Sequence, residues 1–193
     1  MNKILLTILL LVFGNYLTAT EGESLRKLWS LGTSIALSYG VFLGYNFLSA
    51  SIHEASHHTA YHLVCDKKDR SKHSRIPINL TRLGAHGRAK VPMNKLSPNK
   101  QAFVYGAGPI GSMFFNGLTL CIATHPAIRS AAIVDSLIQS KNSIDLDDAG
   151  CDGYRAFKHT MGRYPTSFEK KICNVGYYGI LLPATLYATI KYA

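Results

Sequence analysis

Leu28 to Ile52 reads LWSLGTSIALSYGVFLGYNFLSASI, a stretch without a single charge, and it runs directly into His53-Glu54-Ala55-Ser56-His57. At about 1.5 Å per residue, a helix over this stretch is long enough to cross a bilayer. On a helix, residues four apart stand one above the other, so His53 and His57 can offer imidazole nitrogens to one metal ion. Glu54 then lies beside the metal, where it can take a proton from a zinc-bound water. The plain alternative is a helical surface that happens to carry His and Glu. The fixed spacing of three residue types, each with a role, favours a site. It still needs a third ligand from elsewhere in the chain.

Working outward, the apolar residues are clustered. The chain has 193 residues, enough for one core and short for two domains, with 47% hydrophobic and only 17% charged residues. Residues 1–20 hold a lone Lys3, an apolar run from Ile4 to Phe13 and then Thr18-Ala19-Thr20, which reads as a signal peptide or signal anchor. Two further stretches, Ala102 to Thr124 and Cys173 to Ile190, are also uncharged. The expectation is a mainly α protein with three or four membrane-spanning helices, residues 21–193 forming a single membrane-embedded domain. The mean hydropathy of +0.07 is low for such a protein, because long polar segments between the apolar runs pull the average down. A soluble protein with buried core helices is the competing reading.

The net charge of +10 is concentrated between Asp66 and Lys100, where ten Lys and Arg residues face only Asp66 and Asp69. A basic segment flanked by apolar spans is explained most simply by the positive-inside rule, which makes it a cytoplasmic loop. No aromatic residues interleave with the charges, so nucleic acid is not the expected partner. Within the loop, Ile76-Pro77-Ile78-Asn79-Leu80 and Ala89-Lys90-Val91-Pro92 read as two short strands of a small β-hairpin.

Cys65, Cys121, Cys151 and Cys173 contain no CxxC pair, so neither a structural zinc knot nor a thioredoxin motif is present. Cys151 and Cys173 could be bridged in an oxidising compartment. No nucleophile elbow and no phosphate-binding glycine loop occurs. His58 and His62 are also four apart, but about 100° further round the helix per residue, so they read as outer support for the first pair or as a polar helix end. His73, His86, His125 and His159 read as surface or loop residues. Asp135, Asp145, Asp147, Asp148, Asp152 and Glu169 are the acidic candidates for the third ligand. Asp152 is followed by Gly153, which lets the backbone come close to a metal.

The order of these pieces resembles a known family. His53-Glu54-Ala55-Ser56-His57 at the end of an apolar helix, Ala107-Gly108-Pro109-Ile110-Gly111 in the next one and then Asp152-Gly153 are similar to the site-2 protease family of intramembrane zinc metalloproteases. The resemblance covers about half the chain. It implies one zinc ion per chain on His53, His57 and Asp152, with Glu54 as the catalytic base. The implied activity is a membrane-embedded endopeptidase, an integral membrane protein acting on a membrane-protein or peptide substrate in the lipid bilayer. A secreted soluble HExxH zinc peptidase and a non-catalytic metal-binding membrane protein are the alternatives. A four-span count puts His53 and Asp152 on opposite faces, unless Ala127 to Ile138 is re-entrant and brings the chain back.

Overall fold

The computed structural model describes residues 24–65, 78–81, 84–87, 91–184 and 187, with side chains from residue 30 onward except in the two strands. The expected signal segment over residues 1–20 lies outside the described residues. The chain divides into two compact units at Ser38 and Tyr39. Of the first, the described part is the opening of a long helix; the second holds everything below.

The described residues are mainly helical. Helix α1 spans Ser24–Val64, α2 Pro98–Ile122, α3 Pro126–Ile144, α4 Asp152–Met161 and α5 Ser167–Gly176. A 3₁₀ turn at Met93–Lys95 precedes α2, and a π-helical turn at Tyr177–Leu181 follows α5. One helix among the described residues, Ser30–Val64, is long and apolar enough to cross a membrane. The basic loop carries an antiparallel hairpin of β1 (Ile78–Thr81) and β2 (Gly84–Gly87), with Ile78 opposite Gly87 and Thr81 opposite Gly84. Its second strand lies at residues 84–87; of the expected Ala89–Pro92 strand, Ala89 and Lys90 lie outside the described residues, and Val91 and Pro92 are not in a strand. Pro92 has no N–H to give to a ladder, and Val91 and Pro92 instead lead into the 3₁₀ turn through the Met93 N–H to Val91 carbonyl bond of 2.9 Å.

Local signals account for the helix ends. Pro98 and Pro126 occupy the first turns of α2 and α3, where a missing N–H costs nothing. Helix α4 ends on Gly162 in the left-handed conformation, φ 64°. Helix α5 begins with a capping box that the reading above did not use. Thr166 Oγ1 accepts from the Glu169 N–H at 3.3 Å, and Glu169 Oε2 accepts from the Thr166 N–H at 2.8 Å. The Arg163 guanidinium beside Glu169 holds its carboxyl down to about 2 from an ordinary 4.5. What this cap contributes is thus complete above pH 4.5 and is lost as the pH falls toward 2. The Cys173–Ile190 stretch, expected as one span, is not uniform. The α-geometry ends at Gly176 and the Leu182 N–H bonds the Tyr177 carbonyl, five residues back. All four cysteines are free, so Cys151 and Cys173 are not bridged.

Helices α1 and α2 run antiparallel: Tyr45 donates to Asn116 Oδ1 at 2.8 Å, while His57 meets the Val104 carbonyl at 2.6 Å. Helix α3 then returns the chain toward the His53 end. It is one unbroken helix of 19 residues, longer than the re-entrant Ala127–Ile138 expected from sequence. Its Asp135 is fully buried and ties three helices together. The carboxylate accepts from Asn46 Nδ2 at 2.8 Å, Ser49 Oγ at 2.5 Å and Asn116 Nδ2 at 2.8 Å. Around this knot Tyr45, Ala131 and Ala132 pack with Phe42, Phe115 and Ile128. A second apolar cluster of Ala60, Tyr61, Cys65, Leu96 and Val104 closes the other end.

The side chains of α2 are sorted in an unusual way. Its buried face carries Val104, Gly108 and Pro109 and then Ser112, Asn116 and Thr119, and its exposed face carries Ile110, Phe114, Leu118 and Ile122. Phe114 is 74% exposed while Asn116 is 0% exposed. From Ser112 onward polar residues are inside and large apolar residues outside, the reverse of a water-soluble helix.

Removing the Asp135 carboxylate leaves two amide donors and a hydroxyl buried without an acceptor. Asp135→Ala should therefore lower the unfolding free energy by about 3 kcal/mol or more, read as a fall in the thermal melting midpoint in detergent.

Candidate metal centre

His53 and His57 stand one turn apart on α1, and both are buried. Their Nε2 atoms are 3.1 Å apart, and Asp152 Oδ2, at the start of α4, lies 2.9 Å from His53 Nε2 and 3.3 Å from His57 Nε2. The structure thus brings together the three residues singled out from the sequence, from two helices almost a hundred positions apart. This group could hold a metal ion.

The surroundings decide which ring nitrogens face inward. His57 Nδ1 lies 2.6 Å from the Val104 carbonyl, which can only accept, so Nδ1 carries the proton and Nε2 presents a lone pair. His53 Nδ1 lies 3.2 Å from Ser112 Oγ, and that hydroxyl lies 3.4 Å from the Ser49 carbonyl. A consistent chain is His53 Nδ1–H to Ser112 Oγ–H to Ser49 carbonyl, which again leaves Nε2 as an acceptor. Three acceptors, two imidazole nitrogens and a carboxylate oxygen, then face one another, an arrangement that calls for a cation between them. A tetrahedral zinc with ligands at about 2.0–2.1 Å separates its ligand atoms by about 3.3–3.4 Å. The observed 2.9 to 3.3 Å spacings lie within a few tenths of an ångström of that. With a proton on Nε2 in place of a cation, the imidazoles would donate to Asp152, outweigh the burial that raises its carboxyl and hold it well below the usual carboxylate range; a cation between the three atoms favours the same anion. Glu54 is buried next to His53 on the same turn of α1.

Two glycines make this approach feasible. A β-carbon at Gly108 would collide with Nε2 of both His57 and His53, so only glycine lets the α2 backbone pass directly over the ligand pair. A β-carbon at Gly153 would collide with the Ser143 carbonyl. Gly153 therefore serves the close approach of α4 to the end of α3, and through it the position of Asp152. It does not bring backbone to the metal ligands, as its place beside Asp152 suggests.

The other acidic candidates are occupied elsewhere. Asp135 sits in the three-helix knot. Asp145 Oδ1 accepts from the N–H groups of Asp147 and Asp148, and Asp148 Oδ1 accepts from the Gly150 N–H at 2.7 Å, shaping the loop before α4. Asp147 accepts from Asn174 Nδ2 at 2.7 Å and pairs with Lys170, while Glu169 pairs with Arg163. His125 caps α3 through the Ala127 N–H, and His159 stacks on Tyr105 with ring centroids 5.6 Å apart. His73 and the side chain of His86 lie outside the described residues. Ser112 and Val104, which orient the two imidazoles, were not found from sequence. Their only signal is their nearness to Gly108, four residues away on either side. Comparisons with known protein families, characterised proteins and solved structures find no match to this chain.

Gly108→Ala should displace the histidine pair and weaken metal retention by about 10- to 100-fold, the usual cost of disturbing ligand support. Gly106→Ala, where a β-carbon meets nothing within 4 Å, should leave it unchanged. Metal analysis after dialysis against a chelator compares the two.

Proposed function

We propose that this protein is a membrane-embedded zinc endopeptidase of site-2 type, with His53, His57 and Asp152 as zinc ligands and Glu54 as general base. The observation that carries the reading is the convergence of His53 Nε2, His57 Nε2 and Asp152 Oδ2 within 3.3 Å of one another, with Glu54 buried beside them. Two nitrogens and one carboxylate oxygen form the ligand set of a catalytic zinc, which keeps one position open. A site built only to bind zinc has no need of the acid at position 54.

The inverted sorting of α2 supports the membrane setting. Lipid solvates Ile110, Phe114, Leu118 and Ile122 on the outside, while inside Asn116 donates to Asp135, Thr119 donates to the Phe115 carbonyl, and Ser112 bonds His53 and the Ser49 carbonyl. The outward Leu37, Leu48 and Leu63 of α1 fit the same environment. On this reading α2 spans together with α1. With residues 1–20 and the chain after Cys173 as further spans, the count becomes three or four, and the basic loop faces the cytoplasm.

When bound, zinc supplies an open position that acidifies a water molecule and polarises the scissile carbonyl. The protein's own residues do the rest. Glu54 takes the proton from the attacking water and returns it to the leaving amine nitrogen. Ser112 and the Val104 carbonyl hold the imidazoles in the tautomer that keeps Nε2 unprotonated. The substrate must be locally extended, because a helical peptide hides its carbonyls in its own hydrogen bonds. The hairpin in the basic loop offers an edge on which such a segment can pair.

Glu54→Gln keeps the size and removes the base, so zinc should remain while cleavage of a transmembrane peptide in proteoliposomes falls by about 10² or more. Asp152→Asn should lose zinc under mild chelation, and Asp147→Asn should not. Cleavage that survives Glu54→Gln with zinc intact would remove Glu54 from the mechanism. The setting is checked separately: the chain should stay with membranes after alkaline extraction, and a cysteine placed at Ser97 should resist labelling from outside intact cells. Release into the supernatant would favour the soluble peptidase.

A further inference from the structure

His58 and His62 lie on α1 directly after the ligand pair, whose Nδ1 atoms are held by Val104 and Ser112. Their Nε2 atoms face one another at 3.2 Å, and the rings meet edge to face with centroids 4.4 Å apart. The arrangement repeats that of His53 and His57, whose Nε2 atoms are 3.1 Å apart with centroids at 4.7 Å. His58 follows His57 by one residue, about 100° round the helix, so its ring cannot reach the first centre. Both side chains are half-buried. The bite of the pair is close to the roughly 3.3–3.4 Å that separates two nitrogens on one tetrahedral zinc.

We propose that His58 and His62 form a second site for a divalent transition-metal ion, separate from the His53–His57–Asp152 centre. Imidazole nitrogen selects zinc, copper or nickel over magnesium and calcium. With two protein ligands and the remaining positions open to water, this site binds more weakly than the first and exchanges its ion readily. The inference does not rest on peptidase activity.

The full-length chain, purified in detergent and stripped of metal, is titrated with zinc chloride against a chromophoric chelator. The expected result is two zinc ions per chain, the second held more weakly. His58→Ala and His62→Ala should each abolish the weaker event and keep the tighter one, which also reports that the variants fold. Asp152→Ala should weaken the tighter event and leave the weaker intact. Uptake of a single zinc by the unaltered chain, or survival of the weaker event in both histidine variants, overturns the second site. A tighter event indifferent to Asp152→Ala would instead count against the zinc centre of the peptidase.

Discussion

The structure depends on how closely α2 crosses α1 at Gly108. There is no room for a β-carbon between the α2 backbone and the two imidazoles, and at Gly111 a β-carbon would collide with Ser56. At that separation the Val104 carbonyl, one turn before Gly108, reaches His57 Nδ1, and Ser112, one turn after it, reaches His53 Nδ1. One small residue thus sets both tautomers. A wider crossing would move Val104 and Ser112 away, and each imidazole would be free to turn or to place its proton on Nε2.

Close crossing has to be held in place, and the Asp135 knot does this from the level of Asn46 and Asn116. Ser49 belongs to both systems. Its hydroxyl donates to Asp135, and its carbonyl faces the Ser112 hydroxyl that supports His53. The register that satisfies the knot is therefore the register that orients the ligand. A one-residue slip of α2 would break the Asn116 bonds and the Ser112 contact together. Hydrogen bonds of this kind are directional where apolar packing is not, so they select one alignment among several that bury similar surface.

Much of this was legible in the sequence, and the limits have physical causes. His53, Glu54 and His57 could be read because the helix repeat fixes their relation locally. Asp152 could be reached only through the resemblance of Asp152-Gly153 to a family pattern, since nothing local separates it from Asp147 or Asp148. Tertiary structure makes that distinction, by spending the Asp145 and Asp148 carboxylates on the loop and that of Asp147 on Asn174. Asp135 looked unremarkable on a mostly apolar stretch, because its partners Asn46, Ser49 and Asn116 are far away in sequence. The hairpin's second strand was expected too late in the chain, because β-propensity at Val91 does not offset the missing N–H of Pro92. The Thr166-Ser167-Phe168-Glu169 spacing carries the signal of a capping box, so the start of this helix is encoded locally, seven residues before the apolar run at Cys173.

The polar interior and the apolar exterior of α2 are two sides of one requirement. A catalytic zinc needs charged and polar ligands, and a carboxylate in hydrocarbon is expensive unless other groups enclose it. On the inner face Ser112 reaches His53 and Asn116 reaches Asp135, and the outer face is left to Ile110, Phe114, Leu118 and Ile122. In water this sorting carries a cost, because the large apolar groups are exposed and the polar ones gain little over solvation. In a bilayer the polar contacts become the main attraction between helices, since lipid already solvates the apolar side chains. The proposed site and the proposed bilayer setting are therefore linked through Ser49, which bonds the knot that joins the helices and faces the Ser112 hydroxyl that supports His53.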